Sequence, residues 1–209
     1  MTLDIQHPMP ASAREAAAHL YLEAFGGKIG GILGPAPRAR AFLAEILDPA
    51  HAIAALQDGQ LVGIAGYKTA QGGLMNGGLR ALARHYGWLG ALWRAPLLAL
   101  LERRPKPGLL QMDGICVAAS ARGMGVGSAL LSAIFALAEK AGHTGISLDV
   151  IDANPRARAL YLRQGFVPMR TQHIGPLRHV LGFASSTTMI RAVEARAGDP
   201  GKAGFTSSS

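Results

Sequence analysis

A glycine-rich turn is the first segment of this 209-residue chain whose residue types and spacing could do chemistry. It joins a strand-like run to an amphipathic helix and consists of Arg122, Gly123, Met124, Gly125, Val126, Gly127 and Ser128. Because glycines carry no side chain, backbone N–H groups can approach an anion there, and the helix N-terminus adds partial positive charge. Arg122 supplies a full positive charge beside the turn. We therefore expect it to bind a pyrophosphate.

Two nucleotide classes satisfy that expectation, and a dinucleotide is the first. Its fingerprint is G-x-G-x-x-G followed by an acidic residue about 20 positions on. Counting from Gly125 places Leu130 at the last glycine, and counting from Gly123 places Ser128 there. Asp149 on the next predicted strand could be the acidic residue. The turn alone leaves both classes open, and the segments downstream must decide.

The turn and three downstream segments resemble the GCN5-related N-acetyltransferase (GNAT) superfamily. Arg122-x-x-Gly125-x-Gly127 is similar to the family's Q/R-x-x-G-x-G/A turn. The later segments follow in the family's order and are Leu148-Asp149-Val150, Asn154 and Ala159-Leu160-Tyr161 leading to Gly165-Phe166. The resemblance implies an α/β (α+β) fold, with a mixed, mostly antiparallel sheet, a parallel-paired strand–helix–strand cofactor unit and helices on both faces.

The resemblance also implies acetyl-CoA as the acyl donor, with its pyrophosphate on the backbone of Gly123–Ser128. In the family, the strand before the turn offers main-chain groups to the pantetheine arm and thioester, here Ile115, Cys116 and Val117. Such N–H groups can stabilise a developing oxyanion. Asn154 resembles the family's pantetheine-contacting asparagine.

Tyr161 resembles the family's general acid, and a phenol pKa near 10 keeps it protonated at neutral pH. The alternative is a helix tyrosine packed beside Phe166. Asp149 is our first candidate base, because ribosomal-protein alanine acetyltransferases of this superfamily carry a catalytic Glu there. Asp113 is the second candidate. An ordinary Asp is too weak a base unless burial raises its pKa or a water relays the proton.

Other reactive residue types carry weaker expectations. His173 and His179 fall between the last predicted strands, where we interpret them as surface residues. Cys116 is the single cysteine of the chain, which excludes a disulfide framework and a cysteine-based zinc site. We predict that it acts as a small hydrophobe rather than a nucleophile. No metal site is predicted.

The cofactor segments must be positioned by alternating strands and helices. The predicted elements are a strand at Leu110–Val117, a helix at Gly125–Gly142, a strand at Gly145–Ile151, a helix at Asn154–Gln164, a strand at Phe166–Arg170 and one or two strands within Val180–Val193.

The first third of the chain predicts helices and a hairpin. Ser12–Phe25 is a predicted helix with a capping-box spacing from Ser12 to Glu15. We interpret the glycine cluster at 26–34 as a loop rather than a phosphate site, because no clear strand precedes it. The remaining elements are a helix at Pro37–Leu47 and strands at His51–Gln57 and Leu61–Lys68, joined by Asp58-Gly59.

Gly72–Lys106 has no counterpart in the minimal family pattern, and Leu79–Arg104 is the most unusual part of it. Trp88, Leu89, Leu92 and Trp93 recur there at helical spacing. We predict one or two helices packed on the core or in a dimer interface, and a lid or a membrane-surface element is the alternative. Its apolar runs are too short to span a bilayer.

Composition bounds the remaining possibilities. Hydrophobic residues make up 49% of the chain and charged residues 16%, with a net charge of +8, a balance that favours polyanionic ligands. The basic residues are scattered without a nucleic-acid reader motif, so no nucleic acid is predicted. Met1–Pro10 lacks an export signal, and no transmembrane segment is found, so we expect a cytoplasmic protein. We predict one acetyltransferase domain at 1–197, with a helical insertion at 72–106, a cofactor core at 109–171 and a disordered tail at 198–209.

The leading functional hypothesis is an N-acetyltransferase that moves an acetyl group from acetyl-CoA directly to a primary amine. The acceptor would be a small molecule or a protein N-terminus, and a homodimer is possible. The alternatives are an acyl-CoA-binding regulatory module without turnover and a dinucleotide-dependent enzyme.

Overall fold

A seven-stranded sheet with helices on both faces forms the part of the chain that the computed structural model describes, residues 2–102, 105–178 and 182–193. The strands are β1 (Leu3–Gln6), β2 (Ala52–Gln57), β3 (Gln60–Lys68), β4 (Leu109–Val117), β5 (Gly145–Ile151), β6 (Val167–His173) and β7 (Ser185–Ala192). The α-helices are α1 (Arg14–Leu33), α2 (Ala36–Ile46), α3 (Leu79–Leu101), α4 (Val126–Lys140) and α5 (Pro155–Arg163).

The sheet order is β1-β2-β3-β4-β5-β7-β6. Each neighbouring pair is antiparallel except β4 and β5, which are parallel, as the predicted fold class requires. Asp58 and Gly59 both have positive φ, which confirms the two-residue hairpin between β2 and β3. β1 was not predicted from the sequence. It pairs with β2 at the edge of the sheet.

The two faces of the sheet bury two separate sets of side chains, because successive strand residues point in opposite directions. Ile53 packs on the α4 side with Leu130 and Ile134, whereas its neighbour Ala54 packs on the α1 side with Leu20. Leu130 and Ile134 are fully buried. Burial of a Leu or Ile side chain is worth about 1.5–3 kcal/mol, so these two residues hold α4 firmly against the sheet.

The glycine cluster lies inside α1, so the loop prediction for residues 26–34 was wrong. The helix continues because Ile29, Ile32 and Leu33 extend its buried face beyond the glycines. Gly34 ends it with a φ of 73°. The predicted Ser12 cap was also wrong, since Ser12 lies in a short 3-10 turn and α1 begins at Arg14 without a side-chain cap.

α3 fills the predicted insertion and bends at Gly87, where φ is 69° and ψ 165°. Its inner face packs against α1 and α2 through the buried residues Leu82 and Ala91. The Arg94 guanidinium donates to the Ile32 carbonyl at 2.8 Å, which ties the second half of α3 to the end of α1. The helix packed on the core is therefore confirmed.

The outer face of α3 is apolar and exposed. Its exposed side chains are Trp88 (67%), Leu89 (87%), Leu92 (71%) and Trp93 (47%). Among the described residues, no helix combines the length and the hydropathy needed to cross a membrane. Several sequence predictions lie outside the described residues: Arg103 and Arg104, His179, the start of the 180–193 run and the tail at 198–209.

Candidate active site

A gap between β4 and β5 is the central feature of the site. The described residues of the two strands pair only at Leu109–Gln111 with Gly145–Ser147. Beyond that point the described residues of β4 pair with β3 and those of β5 with β7, and the facing edges of β4 and β5 are not paired with each other. Main-chain groups of Ile115 and Val117 lie on the β4 edge that faces the gap. Those of Cys116 point instead toward Ile64 of β3, because main-chain groups alternate between the two edges of a strand and the Ala118 N–H donates to Val62 of β3. The predicted main-chain contact of Cys116 with a donor was therefore wrong. A strand edge with backbone groups left over can hydrogen-bond an extended ligand.

The glycine turn lies where β4 ends and α4 begins. Gly123 and Gly125 both have a φ of +83°, a conformation that L side chains rarely adopt, and Gly125 caps the N-terminus of α4. An added Cβ at Gly127 would come within 3.2 Å of Leu160 on α5, so that glycine allows α4 to approach α5 closely. The first backbone N–H groups of a helix have no intrahelical acceptor. Those of Val126, Gly127 and Ser128 are therefore available to an anion.

Arg122 is exposed beside this turn. Its Nε donates to the Val117 carbonyl oxygen at 3.3 Å, which links the guanidinium to the end of β4. The predicted positive charge is thus held next to the turn.

A cavity of about 550 Å³ extends from the gap into the space between α1, α2 and α3. It brings together the candidate catalytic residues Asp113, Asp149 and Tyr161, with Ile115 and Asn154 beside them. Gly123–Gly125 are exposed and lie outside its lining. The site thus has an exposed turn at one end and a partly open chamber at the other.

Tyr161 of α5 is buried at the cavity wall and contacts Phe166 edge to face, with the ring centroids 5.7 Å apart. Burial raises the pKa of its phenol above the ordinary value, and the nearby Cys116 thiol adds to the shift. Tyr161 therefore packs against Phe166 and also lines the cavity, so its position is compatible with both the packing role and the general-acid role. A protonated phenol at this position can donate a proton.

Asp113 occupies a β-bulge. Gly66 pairs with Gly114 and Tyr67 with Met112, so Asp113 is an extra residue in β4, and a bulge of this kind re-aims a side chain. Its Oδ2 accepts a hydrogen bond from the Leu74 backbone N–H at 3.3 Å. Burial raises the pKa of this carboxyl, and the Lys68 ammonium opposes that shift.

Asp149 and Asn154 each make a hydrogen bond within the fold. Asp149 Oδ1 accepts from the Thr188 hydroxyl of β7 at 2.6 Å. Asn154 is the N-cap of α5, and its Oδ1 accepts from the Ala157 N–H at 3.1 Å. The two N–H donors on its amide nitrogen are not used by that cap. Both residues line the cavity and can act there while they keep these contacts.

The other reactive residue types lie apart from the cavity. His173 is exposed on β6. The Cys116 side chain is buried between the sheet and α1, and burial raises the pKa of its thiol to about 12. A protonated, enclosed thiol is a poor nucleophile. Within the described residues, no group of three or more His, Cys, Asp or Glu side chains could hold a metal ion.

The sequence analysis missed several residues of the cavity wall. Tyr21 and Phe25 reach it from α1, and the Lys68–Glu102 ion pair, 2.9 Å between Nζ and Oε1, lies at the β3 side. An added Cβ at Gly114 would come within 2.8 Å of the Phe25 ring, so α1 crosses directly over the bulge. The helical spacing of Tyr21 and Phe25 was the one sequence signal, and it does not distinguish a cavity wall from a core.

Three solved structures with similar folds illustrate the likeness, and two of them are N-acetyltransferases by name. Ribosomal-protein-S18-alanine N-acetyltransferase from Escherichia coli is 16% identical, with a TM-score of 0.59 over 95% of this chain and 98% of that one. Ard1 from Thermoplasma volcanium is 16% identical, with a TM-score of 0.60 over 93% and 99%. A GCN5-related N-acetyltransferase from Kribbella flavida is 19% identical, with a TM-score of 0.56 over 91% and 97%. At these identities the likeness establishes the fold.

Sequence comparison identifies the family. No curated protein matches the chain significantly. The sequence profile of the acetyltransferase (GNAT) family matches residues 14–166, which include the glycine turn, the gap and Tyr161. The chain therefore belongs to the GNAT family of acetyltransferases.

Proposed function

We propose that this protein transfers the acetyl group of acetyl-CoA to a primary amine, by direct attack of the amine nitrogen on the thioester carbonyl carbon. The observation that carries the proposal is the gap between β4 and β5. It connects a turn suited to phosphates with a chamber that holds a buried phenol and two carboxylates. Acetyl-CoA would supply the acetyl group already activated as a thioester.

The residues of the gap fit an extended donor that ends in a pyrophosphate. The backbone N–H groups of Gly123–Ser128 and the Arg122 guanidinium would hold the phosphates. The main-chain groups of Ile115 and Val117 would bind the pantetheine arm and stabilise negative charge on the thioester oxygen. The Asn154 amide would donate to the same arm.

Two proton transfers accompany the reaction. As the new C–N bond forms and the C–S bond breaks, Tyr161 would donate its phenolic proton to the departing thiolate sulfur. A carboxylate would accept the proton that the amine nitrogen loses, directly or through a water. Both protons are then accounted for, and the products are an amide and a thiol.

Asp113 is the better placed of the two candidate bases. Burial raises the pKa of its carboxyl, and a carboxylate is a stronger base when its pKa is raised. In Asp149, by contrast, one carboxylate oxygen already accepts a hydrogen bond from Thr188. Asp149 is retained as the second candidate.

The domain bounds, the homodimer and the location are proposed as the sequence analysis gave them. We infer one acetyltransferase domain at 1–197, with α3 inside the 72–106 insertion and the cofactor core at 109–171. The exposed Trp and Leu side chains of α3 are suited to a homodimer interface, since exposed apolar patches commonly mark contact surfaces. A cytoplasmic location stays a prediction.

The test is calorimetric titration of the protein with acetyl-CoA, with NADH as the competing ligand. Ser128 occupies the third residue of α4, where a Glu side chain can fold back over the N-terminal N–H groups and also favours the helix. We expect Ser128→Glu to weaken acetyl-CoA binding at least about tenfold by charge repulsion. Ser128→Gln is the matched neutral control and should bind more tightly than Ser128→Glu.

Three results would contradict the proposal in different ways. Equal affinity of the Glu and Gln variants would mean that the phosphates lie elsewhere. Preferential binding of NADH would support a dinucleotide enzyme. Tight acetyl-CoA binding without thiol release in the presence of amines would support the regulatory module.

A further inference from the structure

The half of the cavity between the helices is apolar. Its wall there includes Ile29 and Leu33 of α1, Phe42 and Leu43 of α2, and Leu82 and Leu98 of α3. Among the described residues, none of the lining side chains contributed by these three helices is charged. The total volume of about 550 Å³ falls within the range of small-molecule sites, about 300–1,000 Å³. Such a wall stabilises an apolar group and penalises a polar one.

The charged residues of the lining lie where this chamber meets the sheet. Lys68 lies on β3 and pairs with Glu102, while Asp113 and Asp149 lie on β4 and β5. Tyr21 of α1 interacts electrostatically with Asp113, and Phe25 contacts Gly114. The cavity therefore places carboxylates at the junction of the gap and the apolar chamber, where they can attract an ammonium group.

The donor's own acyl group is a poor occupant for the chamber. An acyl chain that followed the gap inward would reach Gln111 and Ser147, where the pairing of β4 with β5 closes the gap. To reach the helices it would have to leave the strands and pass the partly buried carboxylate of Asp113. An apolar acyl chain offers that carboxylate no hydrogen bond or charge, which makes the passage unfavourable.

We propose that the acceptor is a primary amine attached to an extended apolar group, an alkyl chain or an aromatic ring. Its nitrogen lies at the junction beside Asp113, and its apolar group occupies the chamber between α1, α2 and α3. The inference rests on the proposed function, since it assigns the acceptor of that same reaction. α3, the helix of the insertion, is then the element that selects the substrate.

The experiment measures thiol release from acetyl-CoA with n-alkylamines from propylamine to decylamine. Each amine is compared with the amino alcohol of equal length, which carries a hydroxyl at its far end. We expect kcat/KM to rise about threefold to fourfold for each added methylene until the chamber is full. The amino alcohols should be poorer substrates than the alkylamines of the same length.

A variant locates the effect. Ala95 lines the chamber from α3, so Ala95→Leu adds bulk inside it, and the length optimum should move to shorter amines. Leu92 is 71% exposed on the same helix, so Leu92→Phe adds bulk on the solvent side and should leave the optimum unchanged. Calorimetric titration with acetyl-CoA checks that both variants keep the donor site.

The outcomes separate this inference from the proposed function. Turnover with kcat/KM independent of amine length, or equal for alkylamines and amino alcohols, overturns the inference alone. So does an Ala95→Leu optimum that matches the wild type. A preference for octanoyl-CoA over acetyl-CoA, with no effect of amine length, assigns the chamber to the donor instead. Absence of thiol release with every amine overturns the proposed function and this inference with it.

Discussion

Two glycine-rich segments of the chain, residues 26–34 at the end of α1 and residues 123–127 before α4, differ in their backbones. Gly26, Gly27 and Gly30 are helical, and an added Cβ on any of them would meet no atom within 4 Å. Gly123 and Gly125 both have a φ of +83°. The second segment therefore needs glycine for its conformation, whereas in the first only Gly34, which ends α1 at a φ of 73°, does.

The difference follows from what precedes each segment. β4 ends at Val117, and the chain must turn there before α4 can pack back on the sheet. The α1 glycines follow a helix whose buried face continues through Ile29 and Leu33, so the helix is extended rather than ended. The helical glycines of the first segment lie in a helix that forms one wall of the cavity.

The largest expected effect tests whether Tyr161, in the proposed cofactor core at 109–171, takes part in the chemistry. Tyr161→Phe removes the proton donor and keeps the ring that packs on Phe166. We expect kcat to fall about 10²-fold to 10⁴-fold, the usual range for loss of a general acid. Acetyl-CoA affinity, measured by calorimetry, should not change. A kcat equal to the wild type would restrict Tyr161 to its packing role.

Asp113, which lies where the gap meets the chamber between the helices, should give the next largest effect. Asp113→Asn removes the proposed base, and we expect kcat/KM to fall about tenfold to 100-fold. Because burial raises the pKa of Asp113, wild-type activity should decline on its acid side at a higher pH than an ordinary carboxyl would cause. The pH–rate profile of the variant should lack that limb. Asp149→Asn is the matched control, and if it alone removes the limb, Asp149 is the base.

The same substitution has an opposite effect on stability. A carboxyl whose pKa is higher in the folded state contributes stability that is complete below its unfolded-state pKa. That contribution is lost as the pH rises through the folded-state pKa. Asp113→Asn cannot ionise, so its Tm should exceed that of the wild type at neutral pH and match it in acid. A lower Tm for the variant at neutral pH would mean that the Asp113 charge stabilises the fold.

The segment from β4 to α4 could be predicted from the sequence, because its signals are local. The β4 strand, the glycine turn and the α4 face lie within about 30 consecutive residues. The hairpin between β2 and β3 was predicted in the same way, from Asp58-Gly59. The order of Asp149, Asn154 and Tyr161 then matched a family pattern. The structure adds that all three line one cavity.

Three other features could not be predicted, because they depend on contacts between distant segments. The Asp113 bulge arises from the register of β4 against β3, a pairing of residues far apart in sequence. β1 has four residues and gains its order by pairing with β2. The length of α1 depends on burial against α2 and α3, which outweighs the low helix propensity of its glycines.

The smallest expected effect compares the two glycine segments directly. Gly125→Ala forces a side chain into a left-handed conformation and should lower the free energy of unfolding by about 1–2 kcal/mol. Gly30→Ala lies within a helix, where no atom would obstruct the added Cβ, and should raise the free energy of unfolding by about 0.5–1 kcal/mol. Urea denaturation of the two variants and the wild type measures both changes. Changes of the same sign would mean that the two segments share a conformational role, whereas opposite signs separate a turn that requires glycine from a helix that tolerates it.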